Sequence, residues 1–183
     1  MDAVIHLASN RNCTQNEQHR SYQTVNIKDE TLAAGASIKY ENVLLLPLVG
    51  DIVTTQRISP GHAQQLSKEI TVTNPYKTEL VSYLSIQLSS NLDVITEFDL
   101  DQNKNTLVNL FPGIYLGKYD GRRDDALRLN DALVFIIEGA FEVQNRLLEP
   151  CDGLSLKNIM ELEFEALSNE AILLIIDNSK FYL

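Results

Sequence analysis

The feature that most constrains this chain is a two-residue alternation of apolar and polar side chains. In MELEFEAL (160–167), Leu162, Phe164 and Ala166 fall on one side of an extended backbone, and three glutamates fall on the other. Successive side chains of a β-strand point to opposite faces of the sheet. The alternation therefore predicts a half-buried strand of an antiparallel sheet, with its acidic face in water.

Similar segments recur along the chain and are separated by turn residues such as Pro60-Gly61, Asp120-Gly121 and Asp152-Gly153. In LVSYLSIQL (80–88), the alternation places the leucines and Ile86 on one face and Tyr83 on the other. Only ISPGHAQQLSKE (58–69) is compatible with a helical turn. Many short strands with regular turns predict an all-β sandwich or barrel. The other predicted strands are DAVIHLAS (2–9), YQTVNI (22–27), IYLGKY (114–119) and AFEVQ (140–144).

The chain also repeats itself loosely. Residues 43–88 and 133–177 each contain an apolar run, a Gly turn, a further turn and then more strands, at matching offsets. Between them lies a polar segment, 89–113, that is rich in Asn and Asp. This order predicts two copies of one unit joined by a connection.

Composition and charge exclude several classes of protein. The net charge of −10 argues against nucleic-acid binding, which needs clustered Lys and Arg. No apolar run approaches the roughly 18 residues of a membrane helix. The N-terminus lacks the basic start and apolar core of a signal peptide, so we expect a cytoplasmic protein. The only two cysteines, Cys13 and Cys151, lack metal-site spacing and are expected to be free thiols.

The order of these segments resembles bacterial pirin-like proteins, which are bicupins related to quercetin 2,3-dioxygenases. The resemblance implies two jelly-roll cupin barrels in tandem, the first one shortened. The implied bounds are a degenerate N-terminal cupin at 1–90, an interdomain segment at 91–112 and a C-terminal cupin at 113–183. The segments that carry the resemblance are 5–27, 59–68 with 74–88, 107–113 and, element for element, 114–177.

The departures from this family concern its metal centre. The family's N-terminal barrel carries a His-Pro-His segment and, later, a second His with a Glu two residues after it. The corresponding stretches here, 34–52 and 64–77, contain no histidine. The three histidines, His6, His19 and His62, map to the first strand, a polar loop and a turn. The resemblance therefore implies a barrel without its metal site, and we expect no metal ligand and no cofactor.

Single residues near the missing ligands provide weak alternatives. His62, Glu69 or Glu41 could hold an ion alone, but transition metals need several converging ligands. A solvated turn residue is the more typical role for His62. The three therefore do not constitute a predicted metal site.

Other candidate residues have an ordinary structural interpretation beside a functional one. Cys151 could be a nucleophile, but a buried structural cysteine is more typical without a nearby histidine, and Cys13 is expected to be exposed in a polar loop. The segment Arg122–Asp125 could bind an anion or form a solvent-facing hairpin tip. Asp51 and Asp152 are expected to cap turns.

These observations favour a metal-free cupin that acts by binding a small apolar ligand or a protein partner, without catalysis. We assign no catalytic residue, and the cofactor-binding residues remain unknown. The alternative is a metal-dependent dioxygenase of the quercetinase type. A third possibility is a surface for assembly that binds no ligand. Fold alone does not choose among them, because function depends on the site.

Overall fold

The computed structural model describes residues 1–88 and 92–181 and is built from antiparallel sheets. Short 3₁₀ helices occupy Ala8–Asn10 and Asn178–Lys180. Among the described residues, no helix has the length and apolar character needed to cross a membrane. The strands are β1 (Asp2–His6), β2 (Asn12–Gln15), β3 (His19–Thr24), β4 (Ile27–Leu32), β5 (Ser37–Tyr40), β6 (Val43–Val49), β7 (Ile52–Val53), β8 (Arg57–Ile58), β9 (His62–Leu66), β10 (Ile70–Thr73), β11 (Val81–Gln87), β12 (Val94–Glu97), β13 (Leu107–Phe111), β14 (Ile114–Tyr119), β15 (Asp124–Leu127), β16 (Ala132–Glu138), β17 (Phe141–Val143), β18 (Arg146–Leu148), β19 (Gly153–Lys157), β20 (Leu162–Ala166) and β21 (Ala171–Asp177).

The strands form two compact units. The N-terminal unit, Arg11–Phe98, contains a seven-stranded sheet with the order β12-β9-β6-β11-β4-β3-β2 and a four-stranded sheet with the order β5-β10-β7-β8. The C-terminal unit comprises Met1–Asn10 and, among the described residues, the chain from Asp99 to Phe181. Its sheets have the orders β1-β19-β16-β21-β14-β13 and β15-β20-β17-β18. Each unit therefore has one large and one small sheet and its own apolar core.

The predicted internal repeat is confirmed strand by strand. In the first copy, β9, β6 and β11 are neighbours in the large sheet, and β10, β7 and β8 are neighbours in the small sheet. In the second copy, β19, β16 and β21, and then β20, β17 and β18, occupy the same places. The matching offsets of the apolar runs and turns therefore encode one topology twice.

The alternation in β20 is confirmed, whereas that in β11 is not. Leu162, Phe164 and Ala166 are buried, and Glu163 is exposed. In β11, Tyr83 and Leu84 are both buried although they point to opposite faces, and Leu80, just before the strand, is 61% exposed. Because β11 lies between β4 and β6 and is covered on both faces, its burial does not follow a period of two.

Several predicted local features were wrong. The segment 58–69 has no helical turn, because β9 pairs with β6 and β12. YQTVNI (22–27) is not one strand: it crosses the turn between β3 and β4, where Val25 has a φ of 55°. The polar segment 89–113 contains β12 and β13, while its residues 89–91 lie outside the described part of the chain.

The two compact units do not have the predicted bounds of 1–90, 91–112 and 113–183, because the N-terminal unit runs from Arg11 to Phe98. β1 pairs with β19, so the first ten residues belong to the C-terminal unit. β12 pairs with β9 in the N-terminal unit, and β13 pairs with β14 in the C-terminal unit. In each unit, a strand from outside the repeat therefore pairs with the edge of the large sheet: β12 pairs with β9, and β1 pairs with β19.

Candidate functional site

The N-terminal unit has a polar cavity of about 450 Å³. It is lined by β2, β3 and β4 of the large sheet and by β5 of the small sheet. Most of its lining side chains carry hydroxyl, amide or charged groups. The cavity is therefore suited to a molecule that forms hydrogen bonds.

Strand pleating explains why polar side chains converge here. Ser21 of β3 lies opposite Glu30 of β4, and Gln23 lies opposite Lys28 in the next pair on the same face. Leu32 shares this face of β4 and is fully buried in the core of the unit. The apolar core of the sheet thus continues directly into a polar end that contains a carboxylate.

Glu30 is the centre of this polar end, and its side chain is 1% exposed. Its Oε2 lies 2.7 Å from Nε2 of His19. Its Oε1 accepts hydrogen bonds from the Tyr40 hydroxyl at 3.0 Å and from Ser85 Oγ at 2.8 Å. A buried carboxylate is costly unless it is paired and hydrogen-bonded, and these three donors meet that requirement.

Two tyrosines extend the network into the core. The hydroxyls of Tyr40 and Tyr83 are 2.8 Å apart, and the rings meet edge to face with centroids 6.3 Å apart. Since the Tyr40 proton is donated to Glu30, Tyr83 donates to the Tyr40 oxygen. Burial, helped by the charge of Glu30, raises the pKa of both hydroxyls. They therefore remain protonated hydrogen-bond donors near neutral pH.

The side chains at the stretches that resemble the family's metal-bearing segments do not fit a transition metal. β5 and β10 contribute Ile38, Tyr40, Ile70 and Val72 to the core of the unit. Transition metals in proteins are bound by several imidazole, thiolate or carboxylate groups. Within residues 1–88 and 92–181, no group of three or more such side chains is arranged to hold a metal ion. His19 and Glu30 are two candidate ligands, and they bind each other.

The structure does not bring His62, Glu41 and Glu69 together as a site. His62 begins strand β9, and its Nδ1 is buried with no hydrogen-bond partner in the described chain, so it is not the solvated turn residue that was expected. Glu69 pairs with Lys39 at 2.9 Å on the surface. Glu41 is exposed at the polar cavity. A second cavity, of about 510 Å³, has a mixed apolar and polar lining that includes Glu69.

The two cysteines and the two turn aspartates have structural surroundings. Cys13 is exposed, but it lies on β2 rather than in a loop, and Cys151 is half-buried in a turn with a φ of 68°. Asp152 caps this turn by accepting the Glu149 N–H at 3.0 Å, and it also accepts the Ala8 N–H at 2.7 Å. Asp51 pairs with Arg57 at 2.8 Å. Its pKa is lowered chiefly by a hydrogen bond from Ser59, with Tyr76 and Arg57 contributing.

The Arg122–Asp125 segment borders an acidic groove of the C-terminal unit rather than an anion site. The groove, of about 480 Å³, includes Asp124, Glu142, Glu163 and Glu165. Glu165 lies directly opposite Asp124 on one side and Glu142 on the other. This concentration of negative charge disfavours an anionic ligand.

Among the described residues, buried apolar side chains pack against one another in the interior of the C-terminal unit. Tyr119, Phe141 and Phe164 form a cluster of edge-to-face rings with centroids 5.3 to 6.3 Å apart. The Tyr119 hydroxyl donates to Asp125 at 2.6 Å, and burial raises the pKa of this hydroxyl. The polar cavity around Glu30 is therefore the stronger candidate site.

Sequence reasoning missed the residues of this site. His19 was assigned to a polar loop, but it begins strand β3. One signal was available in IKDETL (27–32), because alternation places Glu30 on the same face as the core residue Leu32. A charged residue on an apolar face indicates a buried network or a functional site.

Comparisons with known proteins agree with this fold. Residues 114–177 match the family described as the quercetinase C-terminal cupin domain. No curated protein sequence matches the chain. The similarity at the level of family is therefore concentrated in the C-terminal unit.

Solved structures match nearly the whole chain. YhhW from Escherichia coli is 16% identical with a TM-score of 0.78, and the match covers 96% of this chain and 97% of that protein. The structure of bacterial pirin YhhW from Escherichia coli in complex with nickel(II) is 14% identical with a TM-score of 0.74, covering 96% and 98%. AerE from Microcystis aeruginosa is 15% identical with a TM-score of 0.68, covering 93% and 96%. At these low identities, the TM-scores and the coverage show the fold alone, a pair of cupin units in tandem.

Proposed function

We propose that this chain, a pirin-like bicupin of the quercetinase-related family, binds a small polar molecule in the cavity of its N-terminal unit, in the cytoplasm, without a transition-metal centre and without dioxygenase catalysis. The observation that carries this proposal is the buried Glu30 and its three hydrogen-bond donors at a cavity of about 450 Å³. Small-molecule sites commonly measure about 300–1,000 Å³ and contain a few fixed polar groups.

The lining of the cavity favours a polar ligand over the apolar ligand expected from the sequence. Lys28 contributes an ammonium group that has no ionic or hydrogen-bond partner among the described residues. Ser21 contributes a hydroxyl, and Gln23 and Gln87 contribute amides. The amides of Gln23 and Gln87 already donate to backbone carbonyl groups. A molecule that carries an anionic group and hydroxyl or carbonyl oxygens would pair with the Lys28 ammonium and the Ser21 hydroxyl, whereas a hydrocarbon would leave the ammonium unpaired.

The alternative function is a metal-dependent dioxygenase, and the nickel(II) complex of YhhW is the observation in its favour. That chemistry requires a metal at which substrate and oxygen are activated. In this chain, Ile38, Tyr40, Ile70 and Val72 line the region where the resemblance implied ligands. This set of side chains argues against the alternative.

The binding proposal is tested by ligand-observed NMR with a panel of small hydroxylated and anionic molecules. Gln23 lines the cavity and donates its hydrogen bond to the Val25 carbonyl rather than to Glu30, so Gln23→Trp should narrow the cavity and leave the hydrogen bonds of Glu30 in place. We expect binding to weaken at least about tenfold, a loss of roughly 1.4 kcal/mol. The control is Gln15→Trp, on the neighbouring strand and outside this cavity. Equal binding by both variants, or no binding by the wild type, would contradict the proposal.

The absence of dioxygenase chemistry is tested on protein purified without an affinity tag. We expect less than stoichiometric Fe, Ni, Cu, Mn and Zn in elemental analysis, and no quercetin-dependent oxygen uptake above the buffer rate when divalent metals are added. A metal content of one per chain that is lost in Glu30→Gln, Glu69→Gln or His62→Gln, or saturable oxygen uptake, would instead support the dioxygenase.

A further inference from the structure

The pair formed by His19 and Glu30 has the arrangement of an oriented general base. Glu30 is almost fully buried, while the His19 side chain keeps 17% exposure, and both line the polar cavity. Ser85 and Tyr40 fix the other carboxylate oxygen of Glu30. The carboxylate is thus held in place on one side, and it holds the imidazole on the other.

The hydrogen-bond pattern determines which nitrogen of His19 can accept a proton. An ionised carboxylate only accepts hydrogen bonds, so Nε2 of His19 carries the hydrogen that points to Glu30. In neutral His19, Nδ1 then has a free lone pair. This atom has no hydrogen-bond partner in the described part of the chain. A positioned imidazole with a free lone pair is the most common general base in enzymes.

The other groups around the cavity have complementary roles. The raised pKa of the Tyr40 hydroxyl makes it a donor rather than a base. The unpaired ammonium of Lys28 is a cation that attracts an anionic substrate and stabilises negative charge that develops on an oxygen. The cavity therefore contains a base and an electrophilic group without a metal.

We propose that His19, positioned by Glu30, enolises small 2-oxo acids bound in this cavity, an activity that rests on the proposed ligand-binding function. Nδ1 of His19 takes a proton from the carbon next to the carbonyl, and the C–H bond breaks. Its electron pair forms a C=C bond, and the carbonyl π electrons move to the oxygen to give an enolate, whose negative charge is stabilised by the Lys28 ammonium that lines the same cavity. Return of a proton from His19 to carbon restores the substrate or, with a solvent deuteron, exchanges its hydrogen.

The substrate class is inferred from the Lys28 ammonium and the His19 imidazole that line the cavity. A 2-oxo acid carries its carboxylate and carbonyl on adjacent carbons, so one ammonium can contact an oxygen of each. The carbonyl acidifies the C–H bonds of the next carbon, so an imidazole base is strong enough to remove a proton from that carbon. No oxidant, reductant or second substrate is needed.

The test monitors, by ¹H NMR, the exchange of the methylene protons of 2-oxobutanoate for deuterium in D₂O. Binding of the same acid is measured in parallel. We expect wild-type protein to accelerate exchange above the buffer rate. His19→Ala should slow the catalysed exchange about 100-fold, and added imidazole should restore part of it. Glu30→Gln should slow exchange by about 100-fold or more, because an amide favours the wrong imidazole tautomer, and the carboxylate variant Glu30→Asp should retain more exchange than Glu30→Gln.

The matched control is His62→Gln, a histidine of the same unit that does not line the cavity, and its exchange rate should equal that of the wild type. Binding of 2-oxobutanoate without exchange would overturn this inference and leave the proposed binding function intact. Failure of this acid to bind would overturn the substrate class, while the wider ligand panel still tests the binding function. Unchanged exchange in His19→Ala would also overturn the inference.

Discussion

Removal of the Phe164 ring should destabilise the C-terminal unit strongly. Phe164 is 3% exposed, and its ring lies 5.3 Å from the Tyr119 ring and 6.2 Å from the Phe141 ring, centroid to centroid. Phe164→Ala removes a buried aromatic side chain and leaves a cavity, at a cost of about 3–5 kcal/mol. Each edge-to-face contact contributes roughly 0.5–1.5 kcal/mol beyond area burial, which favours the upper part of this range. Against a domain stability of about 5–15 kcal/mol, such a loss is large.

The assay is urea unfolding monitored by circular dichroism, with Glu163→Ala as the matched control on the same strand. Glu163 is exposed on the other face of β20, so its substitution should change the free energy of unfolding by less than roughly 0.5 kcal/mol. Equal losses in the two variants would show that the two faces of β20 are not distinguished by burial. The reasoning from strand alternation to a filled core would then be refuted.

Three further predictions concern electrostatics and turns. Glu165→Gln should raise stability by about 0.2–1 kcal/mol, less at high salt, because Glu165 faces carboxylates on both neighbouring strands; an unchanged urea midpoint would contradict this. Asp152→Ala should cost about 1–3 kcal/mol in the same assay, since it leaves two backbone N–H groups without their acceptor, and Asp152→Asn should cost less. Hydrogen bonds from Lys104 and Lys118 lower the pKa of Glu170, so its stabilising effect is complete above the ordinary glutamate pKa and is lost as pH falls through the lowered value. The NMR titration midpoint of Glu170 should therefore rise in Lys118→Gln, and a midpoint that does not move would count against this ion pair.

The fold was predictable to the extent that it depends on local patterns. The alternation around Phe164 identified a half-buried strand, because pleating imposes a period of two on any strand with one wet face. The repeat of 43–88 in 133–177 identified two units of one topology, because each copy has its own series of strands and turns. The resemblance to pirin-like bicupins added the architecture, which the matching structures confirm.

The division into units was less predictable, because it depends on pairing between distant segments. Nothing in DAVIHLAS (2–9) indicates that β1 pairs with β19, about 150 residues later. An alternating strand is compatible with many partners, and the choice is made where an edge has unpaired backbone groups. The same limit applies to β11, whose two buried faces depend on what covers the sheet.

The sequence by itself indicated that this chain is all-β and that its strands form two similar units, and it shows that residues 34–52 and 64–77 contain no histidine. Only the tertiary structure decided that His19, Tyr40 and Ser85 meet at the carboxylate of Glu30. Ser85 is 55 residues from Glu30, and the two are joined because β4 and β11 are neighbours in one sheet. Strand periodicity specifies the face on which a side chain lies, whereas register and sheet order specify the side chains that it meets, and the candidate chemistry of this protein depends on the latter.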